Sequence, residues 1–291
     1  MANTITLKRR IGSVKNIRQI TKAMELVSAS KMRRAQEHAA SGRIYREYAY
    51  SLLTRLSGIT EVEEHPLYIK RPVKTRLYIV MTSNSGLAGA YNANVLRMLT
   101  RLVIADEKDG IKSQVIAIGK KGAQFTRNIK SIDMIAAYTE VGDHPDANDI
   151  RPILTTASEL FRGAAVDDVQ LLYTQFKSNL VQDATQLSLL PARFEATDES
   201  GAQPLSNSTF EPSIEAVLDG VTERLLEVQV YQAMLESVAS EHSMRMMAMK
   251  SATDNASDLI DDLTLEFNTA RQASITQELA EITGGAEAIQ Q

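Results

Sequence analysis

The 291-residue sequence predicts a mixed protein of the α+β or α/β class. Its two terminal segments form a long antiparallel two-helix coiled coil, with a central Rossmann-like α/β domain between them. Three observations predict this fold: a helical apolar period at the start, a heptad repeat at the end, and alternating strand and helix patterns in the middle. The predicted segments are 1–60 (first helix), 70–195 (α/β domain), 196–211 (linker) and 212–291 (last helix).

The first segment reads as one long helix. It has no Pro between Thr4 and Leu56, and its apolar residues recur at gaps of three and four. They are Leu7, Ile11, Val14, Ile17, Ile20, Met24 and Val27. Such spacing places a single apolar stripe on a helix. At ~1.5 Å per residue the helix would be roughly 75 Å long, and a helix of that length needs a partner for its stripe.

The last segment carries a heptad repeat. One thread with a spacing of seven is Val221, Val228, Leu235, His242, Met249, Ala256, Leu263 and Ala270. The second thread is Leu218, Leu225, Gln232, Ala239, Met246, Thr253, Ile260, Phe267 and Ser274. Threads offset by three and four form an a/d seam. Pro212 precedes this helix, and Gly284-Gly285 predict its C-terminus.

Charge makes the two helices partners for each other. Residues 1–46 hold eleven Lys/Arg and two acids, a net charge of +9, whereas residues 212–291 hold four Lys/Arg and fourteen acids, a net charge of −10. Helices of opposite net charge attract each other, and helices of the same net charge repel each other. One alternative is a nucleic-acid arm with an acidic tail, which the periodicity argues against. Another is two amphipathic helices on a globular core, which a length of roughly 100 Å disfavours.

The middle of the chain alternates strands with helices. Strands are predicted at 76–82, 114–118, 132–138 and 169–173. Helices are predicted at 92–105, after Gly119-Lys-Lys-Gly122, and at 149–162. This order implies a mostly parallel sheet. The glycine turn 85–92 lacks the phosphate-binding motifs, so we expect a tight strand-to-helix turn and no cofactor.

No set of residues predicts catalysis. The chain has no Cys and four scattered His, and His242 is expected to be a tolerated seam residue instead of a metal ligand. No apolar run reaches the ~20 residues that span a bilayer, and the start of the chain does not resemble a secretory signal. We therefore expect an intracellular protein without direct membrane insertion and without a nucleic-acid partner.

Three segments in order resemble the gamma subunit of F-type ATP synthase. They are residues 11–32 (IGSVKNIRQITKAMELVSASKM), 246–255 (MMAMKSATDN) and 270–286 (ARQASITQELAEITGGA). The turn 83–89 is similar to the family's Asp-Arg-Gly-Leu-Cys-Gly turn but has Ser85 for the Arg and Ala88 for the Cys.

The resemblance implies a non-catalytic rotor shaft that couples proton flow to ATP synthesis or hydrolysis at the beta subunits. It implies four partners: the alpha and beta subunits of a ring with three of each, the epsilon subunit, and the ring of c subunits. It also implies a peripheral position on the cytoplasmic face of the bacterial plasma membrane, with a mature organelle protein as the alternative.

By motif match, the resemblance places candidate beta-subunit contacts on both helices. Those facing the beta lever loops are Lys22, Met24 and Lys31, and those on the last helix are Arg245, Arg271, Gln272, Thr276 and Glu278. Residues 279–289 would be a tip in an apolar bearing. Phe210 and Glu211 are candidates for the foot's contact with the c ring. The rival hypotheses are a non-rotary coiled-coil scaffold with an α/β recognition domain and a nucleotide-dependent enzyme with helical arms.

Overall fold

A computed structural model describes residues 2–56, 65–143, 145–192 and 214–289. The elements are α1 (Ala2–Leu56), β1 (Thr75–Met81), α2 (Tyr91–Lys108), β2 (Lys112–Ile118), α3 (Lys120–Thr126), β3 (Ile132–Tyr138), α4 (Ala147–Arg162), β4 (Asp168–Phe176), β5 (Gln182–Leu190) and α5 (Ile214–Ile289). They form two compact units. The coil unit contains α1 up to Ser28 and α5 from Arg245, and the sheet unit contains Ala29–Met244.

The sheet unit is built on five strands in the order β3-β2-β1-β4-β5. All neighbours are parallel except β4 and β5, which form an antiparallel pair. The predicted α/β class and mostly parallel sheet are confirmed. Strand β5 was not predicted, because it lies at the edge of the sheet and most of its residues before Leu189-Leu190 are polar or partly exposed.

Helices cover both faces of the sheet. On β1, Leu77, Ile79 and Met81 point into one core, and Tyr78 and Val80 point into the other. The second core is closed by α2 and α3. The first is closed by α4 together with a stretch of α5 that contributes Leu226, Val230, Ala233 and Met234. The last helix therefore does more than form a coil, because it also supplies part of the α/β core.

Helix α4 begins two residues before the predicted start because of a capping box. The side chain of Asp146 accepts hydrogen bonds from the backbone N–H groups of Asn148 (2.7 Å) and Asp149 (3.2 Å). The carboxylate of Asp149 in turn accepts one from the Asp146 N–H at 2.9 Å. These contacts satisfy N–H groups that a helix start otherwise leaves unpaired.

In the coil unit, α1 and α5 pair through the predicted heptad seam of α5. Every seam residue from Met246 to Ser274 is buried or half-buried, and so are the seam residues from Val221 to His242 in the sheet unit. The hydroxyls of Thr21 and Thr253 lie 2.8 Å apart and fix the register of the pair. One expectation was wrong: Gly284-Gly285 do not end the helix, which continues to Ile289. Glycine lowers helix propensity by only about 1 kcal/mol, which does not by itself stop a long helix.

The apolar stripe predicted for α1 is partly wrong. Ile17, Ile20 and Val27 are 53%, 60% and 53% exposed, although the sequence analysis placed them on the inner face. Nine buried or half-buried positions instead follow a strict heptad from Leu7. They are Leu7, Ile11, Val14, Arg18, Thr21, Glu25, Ser28, Met32 and Ala35. The seam of α1 keeps a period of 3.5 residues even where polar residues occupy it. The predicted apolar stripe has a different period, so some of its residues lie outside the seam.

Candidate functional site on the paired helices

The carboxyl edge of the sheet is where an α/β fold would bind a nucleotide. Here the turn after β1 is closed by its own side chains. The amide of Asn84 donates to the Val141 carbonyl at 2.8 Å, and its oxygen accepts from the Lys120 N–H at 3.0 Å. The Ser83 hydroxyl donates to the Ser85 carbonyl at 2.6 Å. The side chains of Ser83 and Asn84 are thus engaged within the turn.

Gly119, after β2, has a packing reason to be glycine. Its φ is +92°, and a Cβ there would lie 2.1 Å from the carbonyl oxygen of Thr82. The Thr82 hydroxyl also donates to the Ile118 carbonyl and accepts from the Gly122 N–H, both at 2.8 Å. Gly119 and Gly122 therefore allow the ends of β1 and β2 to approach closely.

Helix α5 occupies the crevice beside this edge. The hydroxyls of Tyr91 and Ser237 lie 2.7 Å apart, and the Ser240 hydroxyl donates to the Thr174 carbonyl at 3.2 Å. The cavity that remains between these elements is about 70 Å³. Ligand pockets generally measure roughly 300–1,000 Å³, so this crevice does not fit a nucleotide.

A larger groove of about 490 Å³ lies between α4 and α5. Its cations already have partners in the chain. Arg162 contacts Asp219 at 2.8 Å and Glu223 at 2.9 Å, and Arg151 contacts Glu227 at 3.1 Å. These pairs hold α5 against α4 and leave the groove with balanced charge.

The outer surface of the coil unit is unusually apolar. On α1, Ile5, Ile17, Ile20, Leu26 and Val27 are 53–60% exposed. On α5, the exposed residues include Leu259 (46%) and Leu265 (69%). A two-helix coil whose seam is already filled has no internal use for these side chains. Exposed apolar side chains grouped on one unit mark a candidate contact surface for a protein partner.

The end of α5 extends past its partner helix. In an antiparallel pair, the contact between Thr21 and Thr253 places Ala2 level with residue 272. From Ile275 to Thr283 every residue is exposed, and Ile275, Leu279 and Ile282 are 49%, 57% and 68% exposed. The seventeen residues 273–289 that follow correspond to about 26 Å of helix. The described residues thus end in a single helix with three exposed apolar side chains, in the segment that the resemblance implies to be a tip.

The predicted contacts on α1 have different surroundings. Lys22 is on the surface and lies 3.0 Å from Glu25, and Met24 is half-buried. Lys31 belongs to the sheet unit, where its ammonium lies 2.5 Å from Asp143. That pairing was not predicted, because the two residues are far apart in the sequence.

On α5, the candidates Arg271, Gln272, Thr276 and Glu278 are exposed within the coil unit. Arg245 differs, because it is only 7% exposed. Phe210 and Glu211 lie outside the described residues.

The exposed apolar residues of α1 were overlooked as contact candidates. The signal that could have found them is the strict heptad from Leu7, which leaves Ile17 and Ile20 outside the seam. In the part of the chain that the structure describes, no helix combines the length and apolar character needed to cross a membrane. The same residues contain no group of three or more His, Asp and Glu side chains placed to hold a metal.

Comparisons with known proteins agree with this architecture. A family model described as ATP synthase matches residues 3–289. The chain is 44% identical to the ATP synthase gamma chain of Roseiflexus sp. (strain RS-1) and 43% identical to that of Roseiflexus castenholzii, in each case over 99% of both chains.

Two solved structures share the fold. One belongs to the central stalk and c-ring of the Tetrahymena thermophila mitochondrial ATP synthase, with a TM-score of 0.62, 24% identity, and coverage of 80% of this chain and 99% of that one. The other belongs to the Euglena gracilis mitochondrial ATP synthase, with a TM-score of 0.68, 18% identity, and coverage of 99% and 95%. With its paired terminal helices, its α/β domain and relatives matched from end to end, this chain belongs to the ATP synthase gamma chain family.

Proposed function

We propose that this chain is the rotor shaft of its ATP synthase, turning inside a ring of alpha and beta subunits. The observation that carries the proposal is the apolar outer surface of a coil whose seam is already filled. Ile17, Ile20 and Leu259 are 46–60% exposed along the shaft, and Ile275, Leu279 and Ile282 continue that surface to the tip. An exposed apolar surface of this kind marks a site of contact with a protein partner.

The chemistry of this surface suits a part that must slide. Apolar contacts are non-directional, so they lose little when one face replaces another during rotation. The exposed cations of α1 add weak pairs with acidic loops, each worth about 0–1 kcal/mol, and these exchange easily. We infer that Lys22 and Met24 on α1, with Arg271 and Gln272 on α5, meet the beta subunits in this way.

Thr276 and Glu278 lie on the single-helix tip and are proposed to contact the upper part of the ring of alpha and beta subunits. Lys31 and Arg245 are weaker candidates, because Lys31 is paired with Asp143 and Arg245 is buried. Phe210 and Glu211 stay predictions for the c-ring contact.

The α/β domain is proposed to be the foot of the shaft, against the epsilon subunit and the c ring. In this assignment the chain holds no nucleotide itself. Helix α5 fills the crevice at the carboxyl edge of the sheet, and only about 70 Å³ of that crevice remains. The catalytic nucleotide sites then belong to the beta subunits, and the chain is a peripheral subunit on the cytoplasmic face of the membrane.

A pair of neighbouring single-cysteine variants tests the enclosure of the shaft. The chain has no cysteine, so each new thiol is unique. Leu259 is 46% exposed and Ile260 is 7% exposed, so Leu259→Cys and Ile260→Cys report the outer face and the seam at one level of the coil. In the purified complex, a short bifunctional reagent should join Leu259→Cys, but not Ile260→Cys, to an alpha or beta subunit.

Thr276→Cys extends the same test to the tip. It should also be captured by an alpha or beta subunit. If the complex assembles and neither Leu259→Cys nor Thr276→Cys reaches an alpha or beta subunit, the shaft does not lie inside the ring and the proposal fails. A scaffold that lies outside the ring would assemble but would show no cross-link from either variant to an alpha or beta subunit.

A further inference from the structure

One carboxylate in the sheet unit contacts both long helices. Asp143 lies in the loop between β3 and α4. One of its oxygens is 2.5 Å from the ammonium of Lys31 on α1, and the other is 3.4 Å from Nε2 of His242 on α5. We propose that Asp143 is a positioning residue, a clasp through which the α/β domain grips both helices and passes torque to them. The inference rests on the proposed rotor function.

The loop that carries Asp143 is tied to the sheet. The carbonyl of Val141, two residues earlier, accepts a hydrogen bond from the Asn84 amide at 2.8 Å. The oxygen of that same amide accepts from the Lys120 N–H at 3.0 Å, at the start of α3. A force applied to the sheet is therefore transmitted to Asp143 through two short hydrogen bonds, and from Asp143 to α1 and α5.

The two arms of the clasp differ in their exposure to water. The side chains of Lys31 and Asp143 are 39% and 42% exposed, so this pair is screened and weak taken singly. The side chain of His242 is 3% exposed, which shields its contact from solvent. His242 was expected to be a tolerated residue of the seam, but the structure places its imidazole against a carboxylate of the sheet unit.

The His242 arm makes the clasp depend on pH. At 3.4 Å the neutral imidazole makes no hydrogen bond to the carboxylate, and only the imidazolium forms an ion pair with it. The charged groups around it are Lys31 from α1 and Asp143 from the loop. The β4–β5 hairpin contacts α5 at the residue after His242, where the Ser243 hydroxyl donates to the Asn179 carbonyl at 3.0 Å. Its charged residues Lys177 and Asp183 pair with each other at 2.7 Å.

On α5 itself, Glu241 precedes His242 and Arg245 follows three residues later. The attraction to Asp143 is then strongest in acid and weakens as the imidazole loses its proton.

The experiment uses the complete enzyme reconstituted in vesicles, with ATP hydrolysis and ATP-driven ion pumping measured together. Asp143→Asn should lower the ratio of pumping to hydrolysis by about two- to fivefold, the range that a pair of this exposure supports. His242→Gln should leave the ratio at pH 8 close to that of the unmodified chain and lower it at pH 6. If His242 had a purely structural role, the substitution would change the ratio equally at pH 6 and at pH 8.

Asp133→Asn is the matched control. Asp133 pairs with Lys112 at 3.2 Å on the surface of the same sheet, with a similar exposure, and that pair joins β2 to β3 without involving either long helix. It should leave the ratio unchanged.

The reversed pair Lys31→Asp with Asp143→Lys should restore part of the ratio at pH 8. At pH 6 the pair should fail, because the new lysine repels the imidazolium.

The clasp proposal is overturned if the assembled Asp143→Asn enzyme has the same ratio of pumping to hydrolysis as the Asp133→Asn enzyme. It is also overturned if the reversed pair recovers nothing at pH 8. Failure of the rotor assignment looks different, because then the unmodified chain does not assemble with alpha and beta subunits or does not support pumping at all.

Discussion

At the scale of single residues, a buried charged cluster joins the first residues of two strands to α2. Arg76 on β1 donates to Asp168 on β4 at 2.5 Å and also to Asp106 on α2. Asp106 further accepts from the Tyr78 hydroxyl at 2.6 Å and from the Ser113 hydroxyl at 3.2 Å. Asp106 is 1% exposed, so its charge depends on these donors. This cluster could not be predicted from the sequence, because its members are separated by up to 92 residues.

The pKa of Tyr78 yields the first prediction. Burial disfavours its phenolate, and the neighbouring Asp106 carboxylate adds to the effect, so the pKa lies above its ordinary value. Near pH 10 the unfolded chain loses this proton and the folded chain keeps it, so the unfolding free energy falls as pH rises above about 10.

Tyr78→Phe should cost about 1–2 kcal/mol at pH 7 and should soften that alkaline fall. Urea unfolding at pH 7 and pH 10.5 measures both effects, and an alkaline fall equal to that of the unmodified chain would contradict this account.

Gly119 yields the second prediction. Gly119→Ala places a Cβ 2.1 Å from a backbone oxygen at a φ of +92°, and it should destabilise the chain by at least about 3 kcal/mol. Gly110→Ala is the matched control, because Gly110 has a φ of +73° with open space around it and should cost about 1–2 kcal/mol. Thermal unfolding compares the two. Equal losses of stability in the two variants would show that the close approach to Thr82 does not add to the cost of Gly119→Ala.

At the scale of elements, the spacing of apolar residues decides which helix seams can be predicted from the sequence. The seam of α5 was predictable because its threads keep a spacing of seven and stay mostly apolar or small. The seam of α1 was not, because polar residues such as Arg18 and Thr21 occupy it while Ile17 and Ile20 lie outside. Strand β5 was missed for a similar reason, since an edge strand with one open face needs no apolar alternation along its length.

The two faces of α1 yield the third prediction. Val14 lies in the seam and is half-buried, whereas Ile20 is 60% exposed. Val14→Ser should lower the unfolding free energy of the chain by about 1–2 kcal/mol, and Ile20→Ser should change it by less than about 0.5 kcal/mol. Ile20→Ser should instead weaken assembly with alpha and beta subunits. If assembly of the Ile20→Ser variant is normal, the exposed face of α1 is not a contact surface.

At the scale of the whole molecule, the near-neutral total charge conceals two oppositely charged segments, +9 over residues 1–46 and −10 over residues 212–291. This contrast and the order of elements were readable from the sequence. The role of α5 in the α/β core was not, because Leu226, Val230 and Met234 satisfy a helical pattern whether they face another helix or a sheet.

The single-helix tip yields the fourth prediction. From Ile275 to Thr283 every residue is exposed, so removing the chain after Ser274 should leave the unfolding free energy within about 0.5 kcal/mol. Leu226→Ala, which opens the core of the sheet unit, is the contrasting variant and should cost about 2–5 kcal/mol. Chemical denaturation of the full and shortened chains gives the comparison. A large loss on shortening would mean that the tip packs against the rest of the chain.

Rotation is the most direct measurement of the central claim. Lys108→Cys at the end of α2 introduces a unique thiol on the α/β domain, where a visible probe can be attached while the alpha and beta subunits are fixed to a surface. We expect the probe to turn in one direction, in three steps per revolution, only while ATP is hydrolysed. A probe that stays still while the same complexes hydrolyse ATP would contradict the assignment of this chain as the rotor shaft.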